Sequence, residues 1–416
     1  MRRRNFLAAA AAGALAAAAP GLYGQVLPRG RKVRIGVVGG GFGADFQWHL
    51  HPNSRVVAVC DLRDDRLKVL KETYRCDALY KDYKRLLKHR GLEAVAIFTP
   101  PHLHVPMALE ALAAGKHVIS AVPAGLSEAE LEQLLAAVKK SGLKYMMAET
   151  SRFRPDVLSC EQWAREGRFG TIFYSEAEYH HTGDNEFCYG ETFDCQSCEH
   201  DAYKKGKFRV ERGVQTWSCL PPMFYPTHAT GLLIPVIKER FVEVTAMGWG
   251  ERHQMLGDKN YYKNPFWNSQ AFFKTSGGHS ARISVWWHAA AGHTERGAFY
   301  GDRMSYVMAR PEGSPPVVIR QSPRRESQIG VYDSDVAIER FKVPDHREKL
   351  PQELRGVQAP HGNSHPFITH EFIAAIVENR MPAVDVREAI AYTLPGLVAH
   401  RSALQGGAQL KIPDLV

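Results

Sequence analysis

The sequence predicts an α/β protein in two parts: a doubly wound parallel sheet, then a domain built on an open, mostly antiparallel sheet. Three observations carry this. From Lys32 to about Ala148 short apolar runs alternate with helical stretches, the pattern of parallel strands joined by crossover helices. Beyond Arg152-Phe153-Arg154-Pro155 the strands are aromatic and β-branched and follow one another at hairpin-like spacing, as antiparallel strands do. The chain has 416 residues, 44% of them hydrophobic, too long for one simple core and long enough for two.

In order, Val33 to Val38 is an apolar strand that breaks into Gly39-Gly40-Gly41, with a helix expected near Phe42. Arg55 to Cys60 is the second strand and Asp64 to Arg75 the next helix. Ala94 to Thr99 is a fully apolar strand, followed by Pro100-Pro101-His102-Leu103-His104 and a helix from Val105 to Ala114 closed by Gly115. His117 to Ser120 is a strand. Ser127-x-x-Glu130 is a capping box opening a helix to about Ser141, and Lys144 to Ala148 is a further strand. Asp156 to Gly167 reads as helix. The strands Thr171 to Tyr179, Phe241 to Trp249, Gln270 to Thr275, Arg282 to His288 and Val317 to Arg320 follow, and helices near Pro366 to Asn379 and Val386 to Gln405 close the chain. Residues 31–150 and 151–416 are thus the expected domains. The irregular stretch 184–220 inside the second is long enough for a lid or binding loop.

The glycine break carries the first chemistry. Gly39, Gly41 and Ala44 fit G-x-G-x-x-G/A, in which the first position allows a tight turn, the second admits a pyrophosphate and the third packs helix on strand. Phosphates would sit at the helix start near Phe42. Asp61 ends the second apolar run 20 residues after Gly41, where a carboxylate accepts from an adenosine ribose. NAD is the expected cofactor; a carboxylate repels the extra phosphate of NADP, although Arg63 and Arg66 lie close by. Carboxyl ends of the parallel strands face the ligand crevice, so Thr99, Pro100, Pro123, His104 and Glu149 join the expected cofactor contacts.

Residues 1–30 are set apart as signal and linker. Arg3-Arg4-Asn5-Phe6-Leu7 heads an alanine-rich run to Ala19, then Pro20, Gly21 and small residues, the pattern of a twin-arginine export signal. The expected location is the periplasm or outside the cell, the expected partner the twin-arginine export machinery, and no later run is long enough for a stable membrane span. The formal charge of +9 falls to about +6 without Arg2, Arg3 and Arg4. It lies in no long basic run, so nucleic acid is not an expected partner. Seven cysteines are present. Cys188, Cys195, Cys198 and His200 form their one local cluster, read as a zinc site, a disulfide or unpaired thiols; a second Cys-x-x-Cys, which zinc would favour, is lacking.

Gly39-x-Gly41-x-x-Ala44, Asp61, Thr99-Pro100-Pro101-His102-Leu103-His104, Gly115-Lys116-His117-Val118 and Arg152-Phe153-x-Pro155 together resemble the Gfo/Idh/MocA oxidoreductases, over nearly the whole mature length. The resemblance implies a Rossmann domain, then an α/β domain whose open antiparallel sheet covers the nicotinamide and binds a sugar or cyclitol. It also implies that the exposed sheet face pairs subunits, so a homo-oligomer is expected. Two departures stand out. Where dehydrogenases of the family carry E-K-P, with a proton-transferring lysine, this chain has Ala121-Val122-Pro123. Phe224 stands where an aspartate precedes the histidine by four.

Tyr225-Pro226-Thr227-His228, Val122-Pro123, Glu149, and Tyr179 with His181 are similar instead to the NAD-dependent glycoside hydrolases of that family, typified by α-N-acetylgalactosaminidase. That similarity implies Tyr225, His228, Tyr179 and His181 as proton-transfer and sugar-binding residues, with Arg212 and Glu149 as polar contacts. In such enzymes NAD oxidises a ring hydroxyl beside the carbon that will be deprotonated, the glycosidic substituent is eliminated, water adds and the ketone is reduced again. Chemically, a ketone acidifies the adjacent C–H, and an imidazole near neutrality suits its removal, which favours His228. Tyr225, three residues before it, faces the same way if a helix starts here; its phenol needs a nearby cation, His181 or Arg212, to act as base. His361, in His361-Gly362-Asn363-Ser364-His365, is a further substrate-binding candidate. An exported protein has no free nicotinamide pool, so a tightly held NAD works only if each turnover restores it. A carbohydrate-active enzyme with resident NAD is therefore expected; a net sugar or cyclitol dehydrogenase and a non-catalytic sugar-binding relative are the competing readings.

Overall fold

The computed structural model describes residues 30–182, 220–251, 256–257, 262–290, 292–321 and 336–416. The expected export signal, Arg212 and the cluster Cys188, Cys195, Cys198 and His200 lie outside the described residues.

The first sheet has six strands, all parallel: β1 (Val33–Val38), β2 (Ser54–Cys60), β3 (Leu79–Tyr80), β4 (Ala94–Ile97), β5 (His117–Ser120) and β6 (Tyr145–Met147). Their order, β3-β2-β1-β4-β5-β6, reverses direction between β1 and β4, the switch point at which doubly wound folds bind ligands. The crossovers are α1 (Asp64–Tyr74), α2 (Tyr83–Leu87), α3 (His104–Ala113) and α4 (Glu128–Ser141). Val33, Ile35, Val37 and Ala94 to Ile97 are fully buried, as strands covered on both faces must be.

Two expectations need correction here. The first crossover has no long helix at Phe42: a single 3₁₀ turn, Phe42–Asp45, follows the glycines. Its side chains explain the exchange, since Phe42, Phe46 and Phe98 pack ring to ring and bury the chain through aromatics, where a helix would use an apolar stripe. The box at Ser127 also closes differently from the reciprocal form. Ser127 Oγ accepts from Glu130 N at 3.2 Å, but Glu130 Oε2 accepts from Leu126 N at 2.6 Å, one residue before the cap. Ser127→Ala is expected to cost about 1 kcal/mol, read as a lower midpoint in chemical denaturation with activity unchanged.

After α5 (Pro155–Arg165) the second sheet begins with β7 (Ile172–Thr182). Next come α6 (Thr227–Ile237), β8 (Phe241–Trp249), β9 (Asn268–Thr275), β10 (Ser280–Ala289), β11 (Thr294–Gly301), β12 (Met304–Val307), β13 (Val317–Gln321) and β14 (Val336–Arg340). The chain closes with α7 (Gln352–Arg355), α8 (His365–Val377), α9 (Val386–Leu404) and β15 (Leu410–Lys411). The order is β14-β13-β12-β11-β7-β10-β9-β8-β15. Every neighbouring pair is antiparallel except β7 with β10. β11 was not legible as a strand, because its Thr-Glu-Arg-Gly-Ala-Phe-Tyr-Gly run does not alternate polar with apolar.

The last two long helices tie the halves together. Met147 N donates to Val384 O at 3.0 Å and Ala124 N to Thr393 Oγ1 at 3.3 Å, while Thr230 Oγ1 donates to Tyr392 O at 2.9 Å. α9 thus touches both the first sheet and α6. α6 is apolar nearly all round and buried along its length, as a helix enclosed by neighbours is. That enclosure fixes His228 at its second residue between the two sheets.

Candidate active site

The nucleotide loop comes first. Gly39 has φ +96°, and a Cβ there would lie 2.0 Å from Phe98 O, so only glycine fits this close approach. At Gly41 a Cβ would meet nothing nearer than the Arg66 guanidinium at 3.8 Å, leaving room for a ligand against the backbone. Asp61 Oδ2 accepts from Gly40 N at 2.6 Å and Oδ1 from Arg63 N at 2.9 Å, which fixes the carboxylate beside the loop. Both ring nitrogens of His102 are buried without a hydrogen-bond partner among the described residues, at the turn after β4. A buried polar group of this kind calls for a ligand, and the donor set fits a nicotinamide dinucleotide held by Gly39, Gly41, Ala44, Asp61, Thr99 and Pro100.

His104 and Glu149 both find protein partners among the described residues. His104 is buried, with Nδ1 2.8 Å from Pro123 O and Nε2 2.7 Å from Thr99 O. It offers no free polar atom to a cofactor and braces Thr99 and Pro123 instead. Glu149 is fully buried, and its Oε1 accepts from His228 Nδ1 at 2.8 Å and from Ser151 N at 2.8 Å. Its role is to hold the histidine. A Cβ at Gly231 would lie 2.6 Å from Glu149 Cγ, so glycine on α6 allows the helix to settle onto this carboxylate.

Around His228 the structure gathers the four residues named as proton-transfer candidates. Period-two alternation puts Tyr179 and His181 on one face of β7. The Tyr179 ring centroid lies 4.5 Å from His228, 4.8 Å from His181 and 6.1 Å from Tyr225; Tyr225 is 5.5 Å from His228. Burial alone would lower the His228 pKa. The charge and hydrogen bond of Glu149, with the field of Glu295, outweigh it and hold the pKa above its ordinary value. His181 goes the other way, to about 3, through burial and then the neighbouring His293 and His228. Burial and then Glu149 and Glu295 raise the Tyr225 phenol, so it is a proton donor and not the base that a nearby cation would have made it.

Ala121 and Val122 are buried, so an apolar side chain occupies the place of the dehydrogenase lysine. Sequence reasoning missed Glu295. Its Oε2 accepts from Arg154 Nη1 at 2.6 Å, and Oε1 is buried with no partner among the described residues. Burial works against its charge, but His228, Arg154, His361 and His293 hold its pKa at about 2. A cleft of about 520 Å³ opens here, lined by Arg154, His293, Glu295, Arg310, His361 and Gly362 among others. The signal for Glu295 lay in β11, the strand that did not read as one.

Residues 33–149 match the model of the oxidoreductase family with an NAD-binding Rossmann fold. A glycosyl hydrolase family 109 protein of Stenotrophomonas maltophilia is 34% identical over 195 residues, 44% of this chain and 42% of its own. The match therefore spans less than half of that relative. An α-N-acetylgalactosaminidase of Tannerella forsythia is 23% identical over 99% of this chain and 96% of its own. Among solved structures, a levoglucosan dehydrogenase in complex with NADH and levoglucosan has a TM-score of 0.69 at 17% identity, covering 92% of this chain and all of its own. An aldose-aldose oxidoreductase of Caulobacter crescentus has a TM-score of 0.66 at 18% identity with the same coverage; at these identities the likeness is one of fold. The first domain thus matches the NAD-binding Rossmann model of the Gfo/Idh/MocA oxidoreductases, and the chain is similar in sequence to proteins named as glycosyl hydrolase family 109 and α-N-acetylgalactosaminidase.

Proposed function

We propose that the protein is an exported enzyme that cleaves a glycoside with tightly held NAD, in a redox-neutral cycle. The observation that supports it best is the buried His228–Glu149 pair, ringed by Tyr179, Tyr225 and His181, in a site with Val122 at the lysine position. When bound, a nicotinamide dinucleotide supplies reversible hydride acceptance from a ring carbon. The chain's own residues handle protons. His228, whose charged form Glu149 favours, then presents its remaining N–H to a leaving oxygen; the Tyr225 phenol donates to a sugar oxygen; the aromatic walls of Tyr179 and Trp287, 5.8 Å apart, exclude water. Asp61 favours NAD over NADP. The twin-arginine pattern supports export to the periplasm or beyond. Phe272 and Met247, 58% and 62% exposed on the open sheet, support pairing of subunits through that face.

The protein is to be purified after native export without added nucleotide, denatured, and its released small molecules identified. It is then incubated with aryl α- and β-glycosides in deuterated water. Released NAD, and cleavage with deuterium at the carbon next to the anomeric one, are the expected results. Accumulated NADH with a ketone product would make it a net dehydrogenase. Absence of any nicotinamide nucleotide would leave a sugar-binding relative.

A further inference from the structure

The geometry points to His361 as the proton acceptor of this site, opposed to the His228–Glu149 pair as proton donor, with its tautomer set from the nucleotide loop through His365. The inference deepens the proposed glycoside cleavage and rests on it.

The argument starts at a group that can only accept. Asp45 O, in the 3₁₀ turn after the glycines, lies 3.1 Å from His365 Nδ1. A carbonyl has no proton, so His365 Nδ1 carries one and donates it. His365 is buried, and burial followed by the nearby His361 lowers its pKa to about 4. The ring is therefore neutral and its Nε2 holds a lone pair. That nitrogen is 3.1 Å from His361 Nδ1, which must then carry the proton of the bond. His361 is kept neutral as well, burial outweighing the carboxylates of Glu295 and Glu149. Its Nε2 is left with a lone pair, and the residue lines the cleft.

His228 is the mirror case. Its Nδ1–H is taken by Glu149, whose charge and hydrogen bond favour the imidazolium against burial; in that form its Nε2 carries a second proton. The two rings lie 6.0 Å apart at an angle of 23°. Two like groups whose surroundings push their proton affinities apart form an acid–base pair. The backbone supports the assignment independently. His361, Gly362 and Asn363 have φ of 52°, 64° and 64°, three successive left-handed residues, two of them not glycine. Such strain persists where surrounding structure imposes it and gathers at functional sites. Here Asn363 Oδ1 accepts from Ala359 N at 2.9 Å, while Phe42 packs edge-on against both histidines.

In the elimination, His361 Nε2 takes as a proton the hydrogen on the carbon beside the oxidised ring carbon. The electron pair left behind forms a carbon–carbon double bond, the bond to the glycosidic oxygen breaks, and that oxygen takes the Nε2 proton of His228. Water addition returns both protons: His228 removes one from the entering water and His361 gives its own back to carbon. The groups facing His361 are His228 on α6, Glu149 after β6, Arg154 before α5, Glu295 on β11, His181 on β7 and His365 on α8.

The test is ¹⁵N imidazole spectroscopy of the purified holoprotein, with His361→Asn to assign the signals. Asparagine tolerates the left-handed backbone and keeps a donor toward His365, so folding is preserved. The expected spectrum shows His361 protonated at Nδ1 only at pH 7, and His228 protonated at both nitrogens. His361→Asn is expected to lower kcat/KM on aryl glycosides by about 10²–10⁴-fold and to abolish deuterium entry at carbon, with nucleotide content unchanged. His365→Phe, whose ring keeps the stack on Phe46, is expected to reduce the Nδ1–H form of His361. A proton found on Nε2 of His361, or full exchange retained in His361→Asn, overturns the assignment. Wild-type protein that turns over no glycoside overturns the proposed function instead and leaves the nitrogen measurement to decide His361.

Discussion

His228→Ala is expected to lower kcat/KM on aryl glycosides by about 10²–10⁴-fold, the usual worth of one positioned proton donor, while the nicotinamide nucleotide stays bound. The proposed nucleotide contacts, Gly39, Gly41 and Asp61, belong to other elements than α6. Glu149→Gln separates the charge of the pair from its shape. With the carboxylate gone, burial becomes the dominant influence on His228, and its pKa falls. The alkaline limb of the kcat/KM profile should then move to lower pH, because the imidazolium is lost earlier. The sign for stability follows from the same shift. The folded pKa of His228 is raised above its unfolded value of about 6.5, so the pair's contribution is fully present below that pH and disappears as pH rises through the folded value. Glu149→Gln should therefore destabilise the protein most in acid and least above neutrality. An unchanged pH profile would remove Glu149 from its positioning role.

The parallel domain could be read almost element by element, because fully buried strands and capped helices write themselves into local patterns such as Ala94 to Ile97 and Ser127 to Glu130. The candidate site was legible where spacing placed Tyr225 with His228 around one helix start, and where resemblance pointed to Tyr179 and His181, which the strand period then puts on one face. It was not legible where a residue's role depends on a distant partner. Glu295 meets Arg154 across 141 positions, and nothing local marks either one. For Glu149 and His104 the position along the chain could be read, but not the protein partner each one finds. Strand ends point at the crevice in general, whereas Glu149 turns toward α6 because Gly231 lets that helix come close, and His104 is taken up by two carbonyls.

The two glycines of the loop should fail in different ways when substituted. Gly39→Ala forces a side chain onto φ +96° and drives a Cβ to 2.0 Å from Phe98 O. Strain and overpacking together are expected to cost about 2–6 kcal/mol, seen as a lower Tm even in protein stripped of nucleotide. Gly41 has φ −80° and open space where its Cβ would go. Gly41→Ala is therefore expected to leave the Tm of stripped protein within about 0.5 kcal/mol of the parent. What the new methyl group would occupy is the approach of the pyrophosphate, so copurified nucleotide should fall about tenfold or more, as expected for a loss of roughly 1.4 kcal/mol or more. Thermal melts of stripped protein, set beside nucleotide released per chain, read the two effects separately. Full nucleotide content in Gly41→Ala would mean that the phosphates do not lie against this loop, and the cofactor assignment would then rest on Asp61 and His102 alone.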